Sequence, residues 1–185
     1  MINLTLDEAK RIAAKGDYKV IPISCEFFSD VKTPIEVLRI LKNISRHVYM
    51  LESIEDNEKW GRYTFLGYDP KLELACLKGK MTIKNGTTIE MDIRHPGKMI
   101  KKILADYKSP KLEHLPPFTG GLVGYFAYDY ICYAEPSLKL QAKDEENFKD
   151  VDLMLFDKVI AFDNYRQKII CIVKRQDGGY RQSIQ

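Results

Sequence analysis

VDLMLFDKVIAFDNYRQKIICIVK, residues Val151 to Lys174, is the stretch on which the fold turns. Two apolar runs, Val151 to Phe162 and Lys168 to Lys174, flank the polar segment Asp163-Asn164-Tyr165-Arg166, so the stretch reads as a β-hairpin. Another hairpin is read from Met81 to Met91 around Asn85-Gly86, the strongest short-range turn signal in the chain. Further strands are expected at about 47–54, 62–68 and 71–78, and Gly120 to Ile131 reads as one long aromatic-rich strand. Tyr18 to Phe28 is extended and contains Pro22, which suits a sheet edge or a bulge.

Helical signals are few. Thr5-Leu6-Asp7-Glu8 is a capping-box pattern opening a helix with Leu6, Ala9, Ile12 and Ala13 on one face, ended by Gly16. Thr33-Pro34-Ile35-Glu36 repeats that logic with Pro at the first helical position. Its helix is expected to turn Val37, Leu38, Leu41 and Ile44 inward, with Ile40 at the margin. A third runs from Gly97 to Lys108 with Met99, Ile100, Ile103, Leu104 and Tyr107 sharing a face, before a connector containing Pro110, Pro116 and Pro117. With few strands joined by helical crossovers, the expected class is α+β: mostly antiparallel sheet with helices packed on the outside.

The 185 residues are 45% hydrophobic and 30% charged, and a chain of this size removes roughly 70% of its unfolded surface from water, enough for a real core. Basic and acidic residues nearly balance, 29 against 26. Lys98, Lys101, Lys102, Lys108 and Lys111 are read as a solvated surface and not a nucleic-acid site, and Leu138 to Asp150 as a polar surface loop. Cys25, Cys76, Cys132 and Cys171 contain no C-x-x-C and are read as buried, reduced thiols of a cytoplasmic protein. No signal peptide and no stretch long enough for a membrane span is visible. The tail from Tyr180 to Gln185 resembles the first turn of a helix, so a longer natural chain is expected.

One stretch carries chemistry: YMLESIEDNEKWGRYTFLG, Tyr49 to Gly67. Alternation puts Val48, Met50, Glu52 and Ile54 on one face, and Tyr49, Leu51 and Ser53 on the other. Glu52 thus stands on an otherwise apolar face and needs a partner, water or a ligand. Two readings remain open. In one, Glu52 and Arg62 form an internal ion pair; in the other, they are the two ends of a zwitterion site. There a carboxylate meets an ammonium, a guanidinium and a hydroxyl meet a carboxylate, and the ligand is an amino acid.

IPISCEFFSDVKTPIEVLRIL (Ile21 to Leu41), the stretch from Tyr49 to Gly67, and FTGGLVGYFAYDYI (Phe118 to Ile131) together resemble the N-terminal region of the anthranilate synthase component I family of chorismate-utilising enzymes. The likeness runs from about residue 18 to about 174, and Met50 stands where Leu is more usual, a volume-conserving change. The resemblance implies that residues 1–185 are the feedback-inhibitor-binding part of a larger layered αββα fold. It implies an L-tryptophan site at Leu51, Glu52 and Ser53, with Arg62, Tyr63 and Thr64 beside it. The whole enzyme makes anthranilate and pyruvate from chorismate, with ammonia from a glutamine amidotransferase, component II, and with Mg2+. The chorismate and metal residues of the family lie in a C-terminal domain, so none is assigned here. A folate-pathway relative, aminodeoxychorismate synthase component I, and a stand-alone amino-acid-binding module are the alternatives.

The residues themselves nominate no catalytic group. His47, His95 and His114 lack metal-ligand spacing, and Ser24, Ser29 and Ser45 lack nucleophile context. Gly120-Gly121-Leu122-Val123-Gly124 lacks the Lys-Ser/Thr of a phosphate loop and reads as close strand packing.

Overall fold

The computed structural model describes residues 4–52, 61–138 and 145–176. In chain order the elements are α1 (Leu6–Lys15), β1 (Val20–Phe28), α2 (Pro34–Ile44), β2 (Val48–Glu52), β3 (Tyr63–Tyr68), β4 (Leu72–Leu77) and β5 (Lys80–Asn85). There follow β6 (Thr87–Asp92), α3 (Pro96–Asp106), β7 (Gly121–Phe126), a 3-10 helix (Tyr128–Tyr133), β8 (Val151–Phe156), β9 (Lys158–Asp163) and β10 (Lys168–Gln176). They form two compact units. One holds the described parts of 1–70, 107–121 and 156–185, the other those of 71–106 and 122–155. Each contains one five-stranded sheet, ordered β1-β10-β9-β3-β2 in the first and β6-β5-β4-β8-β7 in the second. Pairing is antiparallel through β1-β10-β9-β3-β2 and through β6-β5-β4-β8. The chain is α+β, as its patterns indicate.

Local chemistry explains the starts of α1 and α2. Thr5 accepts the Glu8 backbone N–H at 3.3 Å and donates its own to the Glu8 carboxylate at 2.9 Å; Thr33 and Glu36 repeat both distances. Each box satisfies donors that a helix start otherwise leaves free. In the first unit both helices lie on the same face of the sheet. Leu4 and Ala9 pack with Ile21 and Ile23 of β1, while Leu41 packs with Leu66 and Phe162. The opposite face buries Val159, Ala161, Ile170 and Ile172 with Phe65 and Phe118. Pro22 lies in β1, an edge strand, where a missing N–H is tolerated.

Several expectations need correction. Val151 to Phe162 is not one strand: β8 pairs with β4 in one sheet and β9 with β3 and β10 in the other. The backbone shows the break, since Leu155 C=O accepts from Lys71 and Asp157 C=O from Lys174, both at 2.8 Å. Gly120 to Ile131 is also shorter as a strand. It ends at Phe126 and turns into the 3-10 helix, whose Tyr133 hydroxyl donates to Asp150 at 2.7 Å and accepts the Gly79 N–H at 2.8 Å. Asp150, placed by the sequence in a surface loop, is buried at this junction; the rest of that loop is exposed where described, and 139–144 lie outside the described residues. Ile44 and Leu104 are exposed, because periodicity identifies a stripe without showing where its partner surface ends. Of the four free cysteines only Cys76 is buried; the other three are half-buried. The tail from Tyr180 to Gln185 lies outside the described residues.

The glycine run behaves as close packing. A Cβ on Gly124 would meet the Asp152 carbonyl oxygen at 2.0 Å, and one on Gly120 the Phe156 carbonyl oxygen at 2.7 Å. The Gly120 carbonyl accepts from the buried Lys174 amine at 2.8 Å. Burial pulls that amine down to about 8, against the opposing influence of the Asp157 carboxylate.

Candidate functional site

The end of the β2-β3-β9 ladder gathers most of the residues singled out by sequence. Cross-strand partners share a face. Glu52, Thr64 and Phe162 therefore lie on the helix-covered face, and Tyr63 with Asp163 on the other, together with Leu51 and Phe65. Thr64, fully buried, donates to a Glu52 carboxylate oxygen at 3.4 Å and accepts the Asn164 amide at 3.4 Å. Glu52 closes the edge strand and is exposed.

Arg62 precedes β3 instead of opening it, so strand alternation does not bind its side chain. Its Nε donates to one oxygen of Asp163 at 2.9 Å and its Nη2 to the other at 2.5 Å. The guanidinium carbon sits 4.8 Å from the Tyr63 ring centroid and 5.7 Å from that of Tyr165. Asp163 also accepts the Arg166 backbone N–H at 3.0 Å. Burial raises the Asp163 carboxyl, but the bonds from Arg62 and Arg166 outweigh it and hold the group below the usual carboxylate range. Its bonds to Asp163 hold Arg62 above its ordinary value. Side-on pairing uses Nε and one Nη2 hydrogen. Among the described residues no other acceptor meets Nη1 or the second Nη2 hydrogen, an edge with the geometry to take a second carboxylate.

The ion pair of this region is thus Arg62–Asp163, not Glu52–Arg62. Leu51, 46% exposed, and Tyr63, half-buried, lie on the face that holds Asp163, the carboxylate gripping Arg62, while Glu52 and Thr64 lie on the reverse. Ser53 is outside the described residues. From the sequence Asp163 and Asn164 read only as turn residues. The available signal was an acidic residue closing the apolar run Val159 to Phe162, where a charge requires a partner.

Among the described residues no group of three or more His, Cys, Asp or Glu side chains is arranged to hold a metal ion. The five lysines of the basic cluster are exposed. No described helix is long and apolar enough to cross a membrane.

No protein-family model matches the chain. Anthranilate synthase component 1 of Acetivibrio thermocellus is 38% identical to it over 177 residues, covering 95% of this chain and 35% of that protein. The protein of the same name from Acinetobacter calcoaceticus is 35% identical, over 94% of this chain and 35% of the relative. A crystal structure of anthranilate synthase component I from Streptococcus pneumoniae TIGR4 aligns with a TM-score of 0.49 and 25% identity, over 85% of this chain and 34% of that one. The chain spans about a third of the length of the curated relatives it matches.

Proposed function

We infer, since this chain is a homologue of anthranilate synthase component 1 over about a third of that protein's length, that it is the tryptophan-sensing N-terminal part of such an enzyme. The whole protein converts chorismate to anthranilate and pyruvate in the cytoplasm. Component II, a glutamine amidotransferase, supplies ammonia, and magnesium and chorismate are held outside this chain. The observation that carries the reading is the Arg62 corner. A guanidinium clamped by Asp163 at 2.5 and 2.9 Å keeps one edge for an amino-acid carboxylate, beside Tyr63 and Leu51. The family resemblance assigns the Ser53 hydroxyl to that carboxylate as well. Glu52, held by Thr64 on the reverse face at the open end of β2, reaches the ammonium only around the edge of the sheet.

Magnitude favours such a site. A charge-assisted bidentate bond contributes about 1.5–3 kcal/mol, so losing it weakens binding about tenfold or more. Ser53→Ala and Arg62→Ala in the full natural protein are therefore expected to raise the tryptophan concentration needed for half-inhibition about tenfold. Uninhibited anthranilate formation, followed by its fluorescence, should stay near wild type. Unchanged inhibition in both variants would sink the site assignment. Absence of anthranilate from chorismate, magnesium and ammonia would sink the enzyme assignment and leave an amino-acid module or the folate-pathway relative.

A further inference from the structure

Cys25 and Cys171 are direct cross-strand partners on β1 and β10. Both are free and half-buried. They share the helix-covered face with Ile23 on one side and Ile169 on the other, at the strip between the cluster under α1 and the cluster under α2. Opposed residues of an antiparallel pair have Cα atoms about 4.5–5.5 Å apart, inside the range of roughly 4.4–6.8 Å that a disulfide needs. Cys76 and Cys132 belong to the other unit.

We propose that Cys25 and Cys171 form a modification site, a dithiol that a low-molecular-weight disulfide oxidises to a reversible cross-link between the edge strand β1 and β10. Burial, with the neighbouring Cys25, pushes the Cys171 thiol up to about 11, so Cys25 on the edge strand makes the first attack. Its thiolate displaces one thiol from the small disulfide, leaving a mixed disulfide on Cys25. Cys171 then loses its proton and attacks the Cys25 sulfur, and the second small thiol leaves with a proton. One small disulfide is reduced to two thiols, and two cysteine thiols are oxidised to one bridge. Held side by side, the second step runs as an intramolecular reaction.

The test incubates the full natural protein with oxidised glutathione at pH 8, blocks remaining thiols, digests and reads the peptides by mass spectrometry. The expected product joins the Cys25 and Cys171 peptides and forms about tenfold faster than any loss of Cys76 or Cys132, as proximity requires. Dithiothreitol should reverse it, and urea should abolish its selectivity. Cys171→Ser should stop at a glutathione adduct on Cys25, and Cys25→Ser should leave Cys171 blocked by alkylation alone. If the wild type stops at the adduct, or both cysteines stay fully alkylated, the dithiol site is refuted.

Discussion

Each of the two units sets a half-buried tyrosine against a glycine, and they do it by different physics. In the first, the Tyr49 ring covers Gly67, its cross-strand partner on β3, and stands edge-on to Phe156 at 4.7 Å. A Cβ on Gly67 would meet that ring at 2.1 Å. The Tyr49 hydroxyl is buried with no hydrogen-bond partner among the described residues, and burial drives it well above its ordinary value. In the second unit the Tyr133 hydroxyl is joined to Asp150 and to the Gly79 N–H. Asp150 in turn accepts the Lys78 N–H at 2.7 Å. Burial raises Tyr133 most, and the Cys76 and Asp150 side chains add to it. One tyrosine contributes ring area and leaves its polar atom unsatisfied. The other is a polar staple between a β-turn, a 3-10 helix and the start of β8.

Three substitutions sharpen that contrast. Gly124→Ala should have the largest effect, because the added carbon meets backbone, the Asp152 carbonyl at 2.0 Å, and not a side chain that can turn. A loss of about 3 kcal/mol or more in urea unfolding is expected, and a near-neutral result would mean that β7 and β8 separate easily. Tyr133→Phe comes next. It leaves the Asp150 carboxylate and the Gly79 N–H short of a partner, at a cost of about 2 kcal/mol by the same measurement. Tyr49→Phe is the smallest and has the opposite sign. Removing a buried hydroxyl that has no partner should raise stability by about 1 kcal/mol while the ring keeps its place over Gly67. If both Tyr→Phe changes destabilise equally, the distinction between the two tyrosines is broken.

Much of the fold was legible because its signals are local. Thr5 with Glu8 and Thr33 with Glu36 close their capping boxes within three residues, and both helices begin where those boxes say. Asn85-Gly86 sits at the tip of the β5-β6 hairpin, and Asp163 pairs with Lys168 across the turn at the end of β9. The Glu52 face was legible too: Val48 and Met50 share it and pack in the cluster under α2. The break at Asp157 was not. Apolar alternation identifies which side chains are buried, but it carries no label for the sheet that buries them.

The candidate site divides along the same line. Residue types alone determined that Tyr49 to Gly67 holds a carboxylate, a hydroxyl and a guanidinium near an apolar strand pair. Tertiary structure alone decided that the guanidinium answers Asp163, 101 residues away, and that Glu52 answers Thr64 instead. It likewise decided that Cys25 faces Cys171. Capping and turn formation are settled by atoms a few bonds apart, so sequence determines them directly. A charge or a thiol finds its partner only after strands remote in the chain have paired in one register, and burial of the sheet faces selects that register.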